Sequence, residues 1–182
     1  MKAITVYQPM ASLIAVGAKP FETRAWRTAH RGPIAIHAGK KIIRPHEDEK
    51  LWLGNGFADG AMKALGISAE LYALAMYKDP DSVALLNRKL PLGAVVATAV
   101  LAGCWEIKNQ KILVSNQTGP MVMYTKRETG CFYEFPTEQD RLFGYWRPGR
   151  YAWELADVAA LAEPVPARGK QGLWEWDEEE KR

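Results

Sequence analysis

Hydrophobic and polar positions alternate at some places along the chain and recur at helical spacing at others. Ala3–Tyr7 is a short β-branched and aromatic run, which predicts a strand. Pro9 follows where a helix can begin; Met10, Leu13, Ile14 and Val16 supply its apolar positions and Gly17 its stop. Phe21–Trp26 reads as extended, Arg31-Gly32-Pro33 as a turn, and Ile34–Ala38 as a buried strand. From about Lys41 to Leu90 the spacing becomes helical: Leu51, Leu53, Met62, Leu65, Leu71, Leu74, Leu85 and Leu86 are punctuated by glycines and Pro80. Two to four short helices are expected there. Gly93–Leu101 is the clearest strand, continuing through Trp105 to Ile107. Residues 108–147 hold a β-branched piece at Ile112–Val114 but no sustained period, and read as an insertion or long loop. Tyr151–Leu155, with Val158–Leu161 as an extension, and Gly172–Trp176 are the closing strands.

Strands at both ends with helices between them predict an α+β fold: a closed or half-closed sheet carrying helical insertions. Neither an internal repeat nor a low-complexity linker marks a boundary, so the expectation is a single domain. At 182 residues and 48% hydrophobic the chain falls in the globular range. No apolar run approaches the roughly 18 to 20 residues of a membrane span. The opening MKAITVYQPM lacks the basic-then-apolar layout of a signal peptide. A soluble cytoplasmic protein with no membrane association is expected.

The charge distribution says more than the net charge of +3. Between Gly17 and Arg44 lie seven cations and one anion, Glu22, a net +6. The tail Trp174–Arg182 carries five anions against two cations. A clustered basic segment is the footprint of a polyanionic partner, the alternative being a solvated face. The seven tryptophans, several beside arginines, favour nucleic acid, because bases stack on such side chains. In an extended segment alternate side chains share a face, so Glu22, Arg24 and Trp26 point one way and Phe21, Thr23 and Ala25 the other, with Lys19 at the preceding turn. That group can present a cation and an aromatic plate to a nucleotide. It can equally close on itself as a Glu22–Arg24 or Glu22–Lys19 ion pair.

The spacing G-x-K-x-x-E-x-R, met by Gly17, Lys19, Glu22 and Arg24, resembles the signature of the ASCH (activating signal cointegrator homology) domain. Gln8-Pro9, Trp26, Arg31-Gly32 and His37-Ala38 before Lys40-Lys41 extend the likeness. The runs Gly149–Val158 and Pro164–Trp176 are similar to the closing strands of prokaryotic and phage-type members. The resemblance implies a PUA-like β-barrel over residues 1–41, 93–107 and 149–176, with a helical insertion at 42–90 and an irregular one at 108–147. It also implies binding of nucleic acid, RNA ahead of DNA, in a basic cleft. There Lys19, Arg24, Arg31, Lys40 and Lys41 neutralise phosphate and Trp26 stacks. Glu22 orients a cation or accepts from a base amine, and the closing segment brings in Arg168. Many relatives carry tryptophan after Gln-Pro, where this chain has Met10.

A smaller branch of the superfamily hydrolyses acetylcytidine with a lysine and a threonine of this motif. Lys19 matches the lysine, but Glu22 stands in place of the threonine. The alternative is therefore a hydrolase of a modified nucleoside, or of RNA, acting through Lys19 and Glu22. A third reading is a module whose basic face meets an acidic protein. No cofactor or metal is implied: His30, His37 and His46 lack ligand spacing, and Cys104 and Cys131 form no Cys/His cluster. His37 and Cys104 read as core residues, as do Trp105, Trp153, Trp174 and Trp176.

Overall fold

A computed structural model describes residues 1–41, 56–111, 120–126 and 132–177. They form β1 (Lys2–Val6), α1 (Met10–Ala15), β2 (Phe21–Arg24), β3 (Gly32–Ala38), α2 (Phe57–Leu65), α3 (Ala69–Met76) and α4 (Pro80–Lys89). These are followed by β4 (Ala94–Lys111), β5 (Pro120–Lys126), β6 (Phe132–Glu134), α5 (Glu138–Phe143), β7 (Tyr151–Pro166) and β8 (Leu173–Glu175). The chain divides into two compact units. The first takes Met1–Ala18, Pro33–Ala99 and Asp157–Arg182; the second takes Lys19–Gly32 and Val100–Ala156, so β4 and β7 run through both.

In the first unit β1 lies parallel to β3, from Lys2 opposite Ile34 to Val6 opposite Ala38, and antiparallel to β8. Every residue from Ile34 to Ala38 is buried, as an apolar run covered on both faces requires. Ala3, Ala35, Val95, Val165, Trp174 and Trp176 pack as one core cluster. Helix α1 buries Ala11, Leu13 and Ile14. Pro9 at its N-cap offers no capping side chain, and Gln8 takes over that task. Its Oε1 accepts from the Ser12 amide (3.1 Å) while its Nε2 donates to Ser12 Oγ and the Pro91 carbonyl (2.8 Å each). Gly17 ends the turn at φ 74°, a conformation glycine adopts without a Cβ penalty, and its amide returns to the Ile14 carbonyl. Ser68 caps α3 and Asp79 caps α4, with Pro80 at its first turn.

In the second unit β2 runs antiparallel to β7, Phe21 opposite Glu154 and Arg24 opposite Tyr151. Phe21, Trp105, Ile107 and Ala152 form its apolar cluster, and Trp146 packs edge-on against Phe21.

The strands predicted at Ala3–Tyr7, Ile34–Ala38, Gly93–Leu101 and Tyr151–Leu155 all belong to one sheet. Its hydrogen-bonded order is β2-β7-β4-β3-β1-β8, with β5 and β6 branching from β4. Among the described residues that path has two ends, β2 and β8, so the pairing is that of a mixed sheet that is not closed, the half-closed form of the two expected. The irregular character expected for residues 108–147 is corrected. Strand β4 continues to Lys111 and pairs with β5, β5 pairs with β6, and α5 follows. Lys108–Lys111 carry no apolar face, so their strand state leaves no period-two signal. Three helices fill residues 57–89 of the helical insertion; residues 42–55, with Leu51, Leu53, Arg44 and His46, lie outside the described residues, as do Ile112–Val114 and Cys131. No helix among the described residues is long and apolar enough to cross a membrane.

Candidate functional site

Lys19 stands two residues before β2, and its side chain turns inward. Its Nζ donates to the carbonyls of Phe21 and Phe143, each at 2.6 Å, and lies 3.3 Å from Glu22 Oε2. Only 2% of the residue is exposed. Glu22 faces a second cation as well: its Oε1 is 2.9 Å from Arg24 Nε, a contact out of line for a hydrogen bond. Glu22 thus lies between Lys19 and Arg24. Alternation along β2 explains it, because Glu22 and Arg24 are two residues apart.

Lys19 and Glu22 are buried, while Arg24 is partly exposed. The expectation that Lys19 lines a solvent-accessible cleft is corrected: the ammonium is enclosed in the second unit. Burial pulls the Lys19 pKa below its usual 10.5, and the Glu22 carboxylate opposes that pull. Hydrogen bonding decides which form fits. An ammonium has three N–H donors and no acceptor, and here it meets two carbonyls and a carboxylate. A neutral amine would turn its lone pair toward one of those oxygens. The arrangement suits Lys19 in its charged form.

Neighbouring elements hold this arrangement in place. Thr137 and Asp140 form a reciprocal capping box at the start of α5, which delivers Phe143 at its last turn. The Tyr145 amide donates to Thr23 Oγ1 (2.9 Å), and Arg150 Nη2 donates to the Thr23 carbonyl (3.0 Å), strapping the loop after α5 to β2. Sequence reasoning missed Phe143, Asp140 and Tyr145, although the Thr-x-x-Asp capping pattern before an apolar turn was a readable signal.

Trp26 is 37% exposed, with its ring set edge-on against buried Trp153 at 4.6 Å. Arg31 is exposed but folds over its own turn, its Nη1 donating to the carbonyls of Thr28 (3.2 Å) and His30 (2.7 Å). In the first unit Lys40, Lys41 and Arg168 are all exposed. Against Gly39, the residue before Lys40, lies Tyr7, 64% exposed, which the sequence predicts only as a strand end. His37 is buried, as expected for a core histidine, with Nε2 3.1 Å from the Ala167 carbonyl and its ring edge-on to Trp174. Burial draws its pKa below 6.5, and the Lys40 charge acts in the same direction. Cys104 is buried as well. Among the described residues no His, Cys, Asp and Glu side chains gather as a metal site.

The chain matches the ASCH domain over residues 4–164 and belongs to the ASCH domain family. No curated protein matches the chain.

Proposed function

We propose that this ASCH protein binds single-stranded nucleic acid, RNA in preference to DNA, and that it is a binder rather than a hydrolase. One observation carries the reading. Lys40 and Arg168 stand exposed in the first unit with no carboxylate partner among the described residues, next to Lys41. Unpaired surface cations held by a folded sheet are what a phosphate backbone neutralises. Family membership supports the same reading.

In the second unit Arg24, Arg31 and the exposed part of Trp26 supply further contacts. Lys19 and Glu22 act indirectly, as the buried pair that fixes Arg24 on its face of β2. The acetylcytidine alternative needs an amine whose lone pair is available to act as a base. Lys19 has three acceptors around Nζ, which commits its protons to holding the fold. Matched single-stranded RNA and DNA of one sequence, titrated by fluorescence anisotropy at low salt, test the proposal. Tighter binding of RNA is expected. Absence of binding to either strand would remove the function.

A further inference from the structure

Tyr7 is the first residue after β1, and its ring is in water yet held in place. It lies against Gly39, where an added Cβ would begin 3.0 Å from Tyr7 Cδ1 and 3.3 Å from Cε1. A side chain at that position would press on the ring and shift it by a few tenths of an ångström. The seat is itself fixed, because the Gly39 amide donates to the Val6 carbonyl at 2.9 Å.

The same end of the first unit's sheet gathers three further segments. The stem of Lys40 crosses Gly93, so that a Cβ there would lie 2.9 Å from Lys40 Cε. Gly93 donates to the Ala38 carbonyl and accepts from the Ala167 amide. Residues 167–170 then press onto the sheet. Thr5 Oγ1 donates to the Lys170 carbonyl at 3.0 Å, and a Cβ on Gly169 would begin 2.6 Å from His37 Nδ1 and 2.8 Å from Thr5 Oγ1. Trp174 Nε1 reaches the same Thr5 hydroxyl at 3.3 Å, and Lys170 Nζ stands 5.9 Å over the Trp174 ring. Backbone and glycine contacts thus fix Tyr7, Lys40, Arg168 and Lys170 around one sheet end, with Lys41 following Lys40.

We infer that this end is a nucleotide-stacking platform: one base of a single strand lies on Tyr7, and the adjoining phosphates are met by Lys40, Lys41, Arg168 and Lys170. The inference rests on the nucleic-acid reading above and adds to it the stacking residue and the cation Lys170. Among the described residues Lys40, Arg168 and Lys170 have no carboxylate partner. An acidic peptide would satisfy the cations but leave the seated aromatic face unused. A nucleotide uses both, since every base has a π-face beside its phosphate.

The test uses the full chain and a short labelled single-stranded RNA of mixed sequence. Tyr7→Ala is expected to weaken binding on the order of 5- to 150-fold with the salt slope unchanged, the cost of one lost base–aromatic stack. Tyr7→Phe should retain binding, and Lys170→Ala should lower the log–log salt slope by about 0.7. Irradiation of wild-type protein with RNA containing 4-thiouridine should give an adduct at Tyr7 by mass spectrometry, a readout independent of any variant. Wild-type affinity in Tyr7→Ala, together with adducts confined to other residues, would overturn the platform and leave the nucleic-acid reading standing. Heparin bound as tightly as RNA, with no effect of Tyr7→Ala, would also overturn it and mark a surface for acidic proteins. Failure of wild-type protein to bind RNA at low salt would remove both.

Discussion

The carbonyl of Phe143 lies 2.6 Å from the Lys19 ammonium, across 124 residues of chain. That bond, with those to Phe21 and Glu22, makes the most recognisable motif of the sequence a buried electrostatic joint within the second unit.

Removing one partner of such a joint strands the others in a dry place. Lys19→Ala leaves the Glu22 carboxylate and two carbonyls without their shared donor and is expected to destabilise the protein by about 3 to 5 kcal/mol. Urea denaturation followed by tryptophan fluorescence reads this directly. A loss below about 0.5 kcal/mol, the range of ordinary surface substitutions, would mean that Lys19 is solvated and the joint absent.

The same geometry bears on chemistry. Acetylcytidine offered to the purified wild-type protein is expected to release no acetate, because no lone pair on Lys19 is free to serve as a base. Release that depends on Lys19 would contradict the structural role assigned to it.

Much of this was legible in the sequence, and the failures have physical causes. The periodicity of Ala3–Tyr7, Ile34–Ala38 and Gly93–Leu101 located three strands of the sheet, because each has a buried face. The shared face of Glu22 and Arg24 followed from alternation alone. Whether Lys19 points to water or inward did not, since that depends on Phe143, a residue distant in sequence and brought close only by folding. Tyr7 was missed for the converse reason. Its ring rests on Gly39, just past β3 and distant in sequence, and a tyrosine ending an apolar run looks like core. The open ends at β2 and β8 likewise depend on long-range pairing that no local pattern encodes.

His37 sets a pH dependence of stability. Burial first, and the Lys40 charge next, depress its folded pKa below 6.5, while the Ala167 carbonyl acts the other way. The unfolded chain therefore takes up a proton near pH 6.5 that the native state resists. This contribution is fully present above pH 6.5, declines as pH falls toward the depressed folded value, and is flat below it. Denaturation midpoints measured from pH 7.5 down to pH 5 should fall more for wild-type protein than for His37→Gln. Parallel curves for the two proteins would show that His37 titrates alike folded and unfolded.

The salt dependence of single-stranded RNA affinity tests nucleic-acid binding by the basic surfaces most directly. With on the order of four phosphates neutralised, log Kd plotted against log salt should rise with a slope of about 3. Lys40→Ala or Arg168→Ala should each lower that slope by roughly 0.7 for every sequence tried, whereas Trp26→Ala should weaken binding by about 1 to 3 kcal/mol and leave the slope unchanged. An affinity independent of salt, or a slope untouched by removing either cation, would contradict the assignment of these residues to phosphate.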